Sequence, residues 1–480
     1  MANTRPVPRS INGKTPNKIK ETVLAHMDAG RTDAALHLVT DLLFCRENDY
    51  MALNYAGQIY HDKGQLDAAL GCYQRAYTLY QDDPALLSNM GNLYLDMYDT
   101  DNALLFSEKA YDIQPKHPPI IRNLANKYRY VKRYDDAIRL YKELLRISPD
   151  DPDLLFNLGL IYMEQGDFKQ GWPLYERRIN TNYYHFSPNW MIPKWDGNTD
   201  LNGKRVLLVA EQGFGDNIML SRFIPQLKET GADIALKCQP ELVRLFSTLP
   251  CKIQTERMIR QDQFDYYIPM MSLAYHFEQD WHKWPAAPSF SIPAEASAKY
   301  EPLARHSQEH FKVGIVWSGS PAFEHNKRRA LTLTPFLELV RHFPQMRFFS
   351  FQKGAPESEL NECGSGTIAH LGGSFDDFAD TAAALQHMDL IIMTDSALAH
   401  LAGSYDIPVL NMLDYAPYWI YLPADTKTPI YPSMRLLRQN APNDWATPLE
   451  KLRTVLGEID KLDYDQLSAY KTLSLIDKAL

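Results

Sequence analysis

Small and apolar positions recur with a fixed period along the first third of the chain. Gly57, Gly91, Ala125 and Gly159 stand 34 residues apart, and each opens the same phrase: Gly57-Gln-Ile-Tyr60, Gly91-Asn-Leu-Tyr94, Ala125-Asn-Lys-Tyr128 and Gly159-Leu-Ile-Tyr162. Twelve residues beyond each small residue come Ala69, Ala103, Ala137 and Gly171, and four residues later Tyr73, Ser107, Tyr141 and Tyr175. Gly30 and Ala35 fall one period before Gly64 and Ala69, so a worn further copy begins near Lys18. The pattern predicts two antiparallel helices per copy, with the small residues where the helices approach and the tyrosines and leucines between neighbours. Pro84, Pro118 and Pro152 are expected in the turns between copies, where a missing N–H does no harm. Ser107 for the second-helix aromatic, Gln81 for the end-of-repeat proline and Lys132 for the mid-turn glycine each weaken one copy.

Past Trp172 the period fades through a connector rich in proline and aromatics, read as a packed joint, and a different pattern takes over. Val206–Ala210 is a short, wholly apolar run that ends in Glu211-Gln-Gly-Phe-Gly215-Asp216, followed by a helical spacing of Ile218, Leu220, Phe223, Ile224 and Leu227. Further apolar runs at Ile234–Leu236, Val313–Trp317, Phe348–Phe351, Leu390–Met393 and Pro408–Leu413 alternate with helical segments, the pattern of parallel α/β sheets. The expected plan is α + α/β: a flexible N-terminus over 1–17, a helical solenoid over 18–180, a linker over 181–203, α/β units over 204–308 and 309–460, and a C-terminal helix over 461–480.

Length and composition narrow the class. At roughly 150 residues per domain, 480 residues predict about three domains, and 45% hydrophobic with 23% charged residues excludes a disordered scaffold. Fifty Lys plus Arg against fifty-nine Asp plus Glu leave a formal charge of −9, which gives no field for nucleic acid. The five cysteines, Cys45, Cys72, Cys238, Cys251 and Cys363, are scattered and form no C-x-x-C pair, which argues against a disulfide framework and a zinc ribbon. With no signal-peptide or membrane-spanning run, the expectation is a cytoplasmic protein without a transmembrane segment.

Two phrases carry chemistry. Gly213-Phe-Gly215 fails as G-x-G-x-x-G because position 218 is Ile. The turn still places N–H groups and a helix start at the carboxyl edge of a sheet, where ligands of this architecture bind. Asp216 at that mouth reads as a helix cap or as a general base taking a proton from an acceptor hydroxyl. The basic role requires partial burial to offset the helix dipole. In the second unit, Leu390-Ile-Ile-Met-Thr394-Asp395-Ser396-Ala-Leu-Ala-His400 sets a buried strand, a hydroxyl, free helix N–H groups and an imidazole toward one point. That suits a diphosphate, with His400 neutralising the leaving group; the plainer reading of His400 is a core histidine.

Thr394-Asp-Ser-x-x-x-His400-Leu-Ala-Gly, then Pro408-Val and Tyr415-Ala-Pro-Tyr-Trp419, resembles the donor-binding motif of glycosyltransferase family 9, the heptosyltransferase-like group with the GT-B fold of two Rossmann-like domains. Gly215-Asp216 is similar to that family's N-domain loop, whose aspartate is the base. The wider order is similar to bacterial tetratricopeptide-repeat (TPR) glycosyltransferases: repeats, Gly171-Trp-Pro-Leu-Tyr-Glu-Arg-Arg178, Pro193-Lys-Trp-Asp-Gly197, Val316-Trp-Ser-Gly319, Phe351-Gln-Lys-Gly354, Asp376-Asp-Phe-Ala-Asp-Thr381 and Tyr431-Pro-Ser-Met-Arg435. The group includes flagellin glycosyltransferases whose repeats dock flagellin and whose α/β part transfers a nonulosonic acid. The chain departs from the heptosyltransferase pattern at Ser396-Ala397, where Thr-Gly is usual, and offers Lys327, Arg328 and Arg329 as the phosphate-meeting base. Arg329 is chosen by register; the trio also reads as an exposed basic loop.

The resemblance implies an inverting transfer in which Asp216 deprotonates the acceptor. Ser318, Gly319 and Ser320 approach the donor phosphates; the helix N-terminus with Arg329, Lys353 and His400 stabilises the leaving phosphate; Gln352 and Lys353 frame the nucleotide; Asp395 and Ser396 belong to the donor-binding motif; and Phe378 and Trp419 pack on base or sugar or simply in the core. The acidic D-x-D pair occurs only as Asp151-Pro-Asp153 and Asp463-Tyr-Asp465, so no metal and no cofactor beyond the nucleotide-sugar substrate are expected. A protein acceptor recruited by the repeats, flagellin among the candidates, is the leading partner. A glycolipid or lipopolysaccharide acceptor and a non-catalytic scaffold are the rival readings, and the repeats alone also serve in other proteins as spacers or dimer surfaces.

Overall fold

The computed structural model describes residues 15–181, 191–256, 259–305, 310–323, 326–364, 366–421, 426–463, 467 and 469–480. Nearly all of the expected flexible N-terminus, nine positions of the linker and Asp465 lie outside them.

The repeat is built of helices α1 (Pro16–Asp28), α2 (Thr32–Cys45), α3 (Tyr50–Asp62), α4 (Leu66–Leu79), α5 (Pro84–Asp96), α6 (Thr100–Ile113), α7 (Pro118–Tyr130), α8 (Tyr134–Ile147), α9 (Pro152–Glu164) and α10 (Phe168–Tyr175). The small residue of each copy makes room for the residue sixteen positions on. A β-carbon on Gly57 would come within 2.5 Å of the Tyr73 ring, and one on Gly91 within 2.1 Å of Ser107 Oγ. The turn inside each copy takes a left-handed residue every 34 positions: Gly30, Gly64, Tyr98, Lys132 and Gly166 have φ of 69°, 72°, 64°, 63° and 76°. Tyr98 and Lys132 adopt it without glycine's freedom, and the repeat keeps its geometry at a local cost of about 1 kcal/mol each. Pro84, Pro118 and Pro152 sit at the first position of α5, α7 and α9 rather than in the preceding turns; there the N–H is unpaired in any helix and the fixed φ suits the first turn. Asp151 Oδ1 accepts from the N–H groups of Asp153 and Leu154 at 3.0 and 3.1 Å, so Asp151-Pro-Asp153 is a helix start.

The chain divides into two compact units, Met1–Leu154 and Leu155–Leu480. Phe156, Leu160, Met163, Phe168, Trp172 and Tyr175, from α9 and α10, share the hydrophobic core of the second unit. That unit holds two sheets. Strands β1 (Arg205–Val209), β2 (Asp233–Lys237), β3 (Lys252–Ile253) and β4 (Tyr266–Pro269) form the first, in order β3-β2-β1-β4. Strands β5 (Lys312–Val316), β6 (Arg347–Ser350), β7 (Ala369–His370), β8 (Leu390–Thr394), β9 (Val409–Leu413) and β10 (Met434–Arg438) form the second, in order β10-β9-β8-β5-β6-β7. All named pairings are parallel. Sheets covered on both faces need strands apolar on both sides, as in Val206-Leu-Leu208 and Leu390-Ile-Ile-Met393, all fully buried.

The helices between and after the strands of the first sheet are α11 (Phe214–Leu220), α12 (Ile224–Glu229), α13 (Pro240–Phe246), α14 (Ser272–Phe277), α15 (Ala294–Tyr300) and α16 (Pro302–Arg305). Those around the second are α17 (Asn326–Arg329), α18 (Thr334–His342), α19 (Phe378–Leu385), α20 (Ala397–Ser404) and α21 (Ala446–Asp460). The C-terminal helix α22 (Ala469–Ala479) lies on the second sheet's side: Ile476 joins that core, and Asp477 pairs with Arg435 of β10. Among the described residues no helix is long and apolar enough to cross a membrane.

In the first sheet the chain runs outward from β1 through β2 to β3 and then returns to β4 on the other side of β1. In the second it runs from β5 through β6 to β7 and returns to β8 beside β5. Each reversal opens a crevice at the carboxyl ends of the strands it separates.

Candidate functional site

At the first crevice β1 leads into a tight turn. Gln212 is left-handed, with φ of 61°, and Gly213 is the residue before α11. Asn217 fixes the turn from inside: its Oδ1 accepts from Glu211 N–H at 3.1 Å, and its Nδ2 donates to the carbonyls of Glu211 and Gly213 at 3.0 and 2.8 Å. Asp216 stands in the first turn of α11, not at its cap, and its Oδ2 accepts the Gly213 N–H at 3.0 Å. Burial pushes this carboxyl up to about 6; the Gly213 N–H works against the rise, the charges of Asp395 and Glu211 add to it, and Arg329 again opposes it. Desolvation therefore outweighs the Gly213 N–H and Arg329.

At the second crevice, Trp317-Ser318-Gly319-Ser320 follows β5 and Asp395-Ser396 follows β8. Arg329 Nη1 donates to Asp395 Oδ2 at 3.3 Å, and Tyr421 Oη donates to Asp395 Oδ1 at 3.0 Å. The guanidinium lies over the Phe323 ring at 4.6 Å and against Gly319, where a β-carbon would come within 3.0 Å of Nη2. Glycine there lets the arginine reach the strand end. Ser396 is extended and makes no capping bond with its side chain, leaving the start of α20 open. Arg329 Nε, Asn326 Oδ1 and Thr394 Oγ1 are buried without a hydrogen-bond partner. Buried polar atoms normally find partners, so these three, in α17 and at the end of β8, are exceptions to that rule.

The two crevices face each other. A β-carbon on Gly215 would meet His400 Cδ2 at 2.7 Å and Ala397 Cα at 3.1 Å, so α11 rests directly on α20. Phe214 and Phe378 touch with ring centroids 5.0 Å apart. Arg244 of α13 donates to both Asp377 oxygens at 2.9 and 2.8 Å, and Lys299 of α15 reaches Asp376 at 3.0 Å, binding the first half to α19 of the second.

Asp216, Arg329, Asp395, Gly213, Gly215, Ser318, Gly319, Ser320 and Ser396 thus gather at the two facing edges, with the hydroxyl-bearing Ser320 exposed. Other expected residues do different work. His400 is 5% exposed, shares a hydrogen bond between Nδ1 and Tyr431 Oη at 3.2 Å, and is pushed down to about 4 by burial. Burial thus favours its uncharged form, and its ring lies against Gly215. Gln352 spends its amide on the main chain, accepting from Trp317 and Ser318 N–H at 3.2 and 3.0 Å and donating to Ser318 and Lys353 carbonyls at 3.0 and 3.2 Å. It shapes the loop after β5. Lys353 donates to the Phe375 carbonyl. Trp419 is 2% exposed and packs edge-to-face on Trp172 at 5.5 Å, in the joint with α10. Phe378 packs on Phe214 as stated.

Asn326, Tyr421 and Asn217 were not singled out from the sequence. Asn217 directly follows Asp216, and Asn326 directly precedes the basic trio, so adjacency was the available signal. Nothing local marks Tyr421, which reaches Asp395 from 26 residues away.

Comparison with known proteins identifies the repeats. The family described as TPR repeat matches residues 57–97 and 125–166, and that described as tetratricopeptide repeat matches 84–117. The chain therefore carries an N-terminal run of these repeats ahead of a region of parallel sheets and helices. Protein FlbA of Caulobacter vibrioides is 27% identical over 327 residues, 62% of this chain and 54% of FlbA, so the chain spans about half the length of that curated relative. Among solved structures, the APC/C hetero-tetramer Cut9-Hcn1 aligns with a TM-score of 0.34 and 20% identity over 38% of this chain and 35% of that one. YrrB, a TPR protein with an unusual peptide-binding site, aligns with a TM-score of 0.30 and 14% identity over 36% of this chain and 90% of its own.

Proposed function

We propose that this chain is a glycosyltransferase of the GT-B kind that moves a sugar from a nucleotide-sugar to an acceptor recruited by the repeats. The observation that carries the reading is the meeting of Asp216, at the edge of one parallel sheet, with Arg329, Asp395 and the open start of α20 at the edge of the other. The second sheet's order, with three strands wound each way from the β5–β8 boundary, is that of nucleotide-binding doubly wound sheets. Asp216 takes the proton of an acceptor hydroxyl as that oxygen bonds to the anomeric carbon. The bond from that carbon to the donor phosphate breaks, and the phosphate keeps the electron pair. Arg329 and the N–H groups opening α20 meet the new charge. A carboxyl near 6 is matched to this task, being ionised at neutral pH yet basic enough to accept a proton. The acceptor is a protein, flagellin being the one that the resemblance names, because a glycolipid acceptor leaves the repeats without a role.

A scaffold without catalysis is the second reading, favoured by the pairing of Arg329 with Asp395 and by the buried, uncharged His400. Thermal stabilisation by CMP, UDP, GDP and ADP separates the two. A nucleotide at ~100 times its Kd adds about 2.7 kcal/mol, and response to one of the four names the donor class. No response to any of them favours the scaffold.

A further inference from the structure

We propose that Tyr175 and Arg178, at the end of the repeat array, are positioning residues for the turn that carries Asp216, so that the last repeat helix sets the aim of this carboxylate. The inference rests on the reading of Asp216 as the base.

Tyr175 occupies the same place in its copy as Tyr73, Ser107 and Tyr141. Its main-chain N closes on Gly159 while its ring packs on Phe156 and Trp172, with centroids 5.4 and 5.6 Å away, and packing at this place does not depend on the hydroxyl: Tyr73 Oη is buried with no partner. In Tyr175 the hydroxyl accepts from Gln212 Nε2 at 3.1 Å and shares a hydrogen bond with Tyr418 Oη at 3.1 Å. Arg178, just beyond α10, is fully buried; its Nε and Nη2 donate to the two carboxylate oxygens of Glu211 at 3.0 and 2.7 Å. Glu176 and Lys194 complete the group, so that two buried carboxylates meet two cations. Glu211 Oε1 also accepts Met271 N–H at 3.0 Å.

The two anchors therefore hold consecutive residues, Glu211 and Gln212. Gln212 is the left-handed residue of the turn, a conformation that a glutamine keeps only when its surroundings impose it. The N–H that follows, on Gly213, is the one that points at Asp216 Oδ2. One peptide unit thus separates the residue gripped by the repeat array from the carboxylate. Releasing Gln212 turns the Gly213 N–H away and leaves Asp216 facing Asp395 and Arg329 from the second half, Glu211 from its own turn, Tyr175 and Tyr431, with His400 against the adjoining Gly215. Loss of that N–H raises the carboxyl further.

The test uses the full chain and Tyr175→Phe, which keeps the ring and removes only the hydroxyl. Two readouts are taken. Amide hydrogen exchange is followed over residues 211–217, and nucleotide release is followed against pH with CMP-, UDP-, GDP- and ADP-linked sugars. In the variant the Gly213 amide is expected to exchange at least about tenfold faster while β2 and β5 are unchanged. The acid limb of kcat is expected to move to higher pH, with the donor KM unaltered. Unchanged exchange in the turn overturns the proposal, as does a lower kcat with an unmoved acid limb, which a loss of folded protein alone would give. If the wild type releases nucleotide from none of the four donors, the base reading fails, and the exchange result alone then decides whether Tyr175 positions the turn.

Discussion

Gly215 lies so close to His400 that a β-carbon on the glycine would sit 2.7 Å from the imidazole Cδ2. The first turn of α11 and the middle of α20 therefore meet with no side chain on one side and a buried ring on the other. Gly215→Ala should cost about 1 to 3 kcal/mol, the usual penalty of overpacking. Combined with His400→Ala it should cost less than the two single changes together, by about 0.5 to 3 kcal/mol, because the ring it strikes is gone. Urea unfolding of the four proteins measures this coupling, and strict additivity would refute the contact.

Asp216 should make the fold sensitive to pH in a defined direction. Its carboxyl is raised from the ordinary value near 3.8 to about 6. The folded state therefore binds this proton more tightly, and the stability it gives is complete below about pH 4 and lost as pH climbs through 6. Asp216→Asn, free of the buried charge, should melt above the wild type at pH 8, with the gain shrinking through pH 6 and gone near pH 4. Melting curves across this range check it; a constant difference at all pH values would contradict it. The same variant should lose sugar transfer while keeping its response to the stabilising nucleotide.

Arg329→Gln should weaken that nucleotide about 10- to 100-fold, since a hydrogen bond to a charged group is worth about 1.5 to 3 kcal/mol. Removing the cation should also raise the Asp216 carboxyl further, because Arg329 holds it down. Titration calorimetry of the variant beside the wild type tests the first effect. Equal affinity would show that the guanidinium is committed to Asp395 alone.

Gly30 and Gly71 both have open space where a β-carbon would go, yet opposite outcomes are expected from alanine. Gly71 is inside α4, where alanine should stabilise by about 0.5 to 1 kcal/mol. Gly30 has φ of 69°, where alanine should cost about 1 to 2 kcal/mol. Denaturant midpoints of the two variants decide the matter without any need of an activity.

The repeat was legible because its cause is local and recurs: a small residue makes room for the residue sixteen positions later, a tyrosine in most copies and Ser107 in one. The strands β1, β2, β5, β6, β8 and β9 were legible for a similar reason, each being an apolar run that a doubly covered sheet requires. Strand β10 was hidden because Met434-Arg-Leu-Leu-Arg438 carries two arginines, and Arg435 is accommodated by Asp477 from a helix 42 residues away. Among site residues, Asp216 and Arg329 could be placed from strand ends and register. For His400 and Trp419 the core was one of two readings the sequence offered, and what Gln352 bonds to was not legible; in all three the deciding partners come from distant segments: the main chain after β5 for Gln352, Tyr431 and Gly215 for His400, Trp172 for Trp419.

The last helix pair belongs to the repeats by sequence and to the sheets by packing, and that double membership limits how the chain can be divided. A cut at the end of the periodic pattern would strip Trp172 from Trp419, Tyr175 from Gln212 and Arg178 from Glu211, leaving an indole, a phenol and a guanidinium with only Glu176 on one piece, and the Glu211 carboxylate without its cation on the other. A cut just before α9 severs none of these. For recombination, whether in evolution or on the bench, the exchangeable cassette is therefore one helix pair shorter than the periodic pattern suggests, and a graft made at the pattern's end would carry away part of the site's own wall.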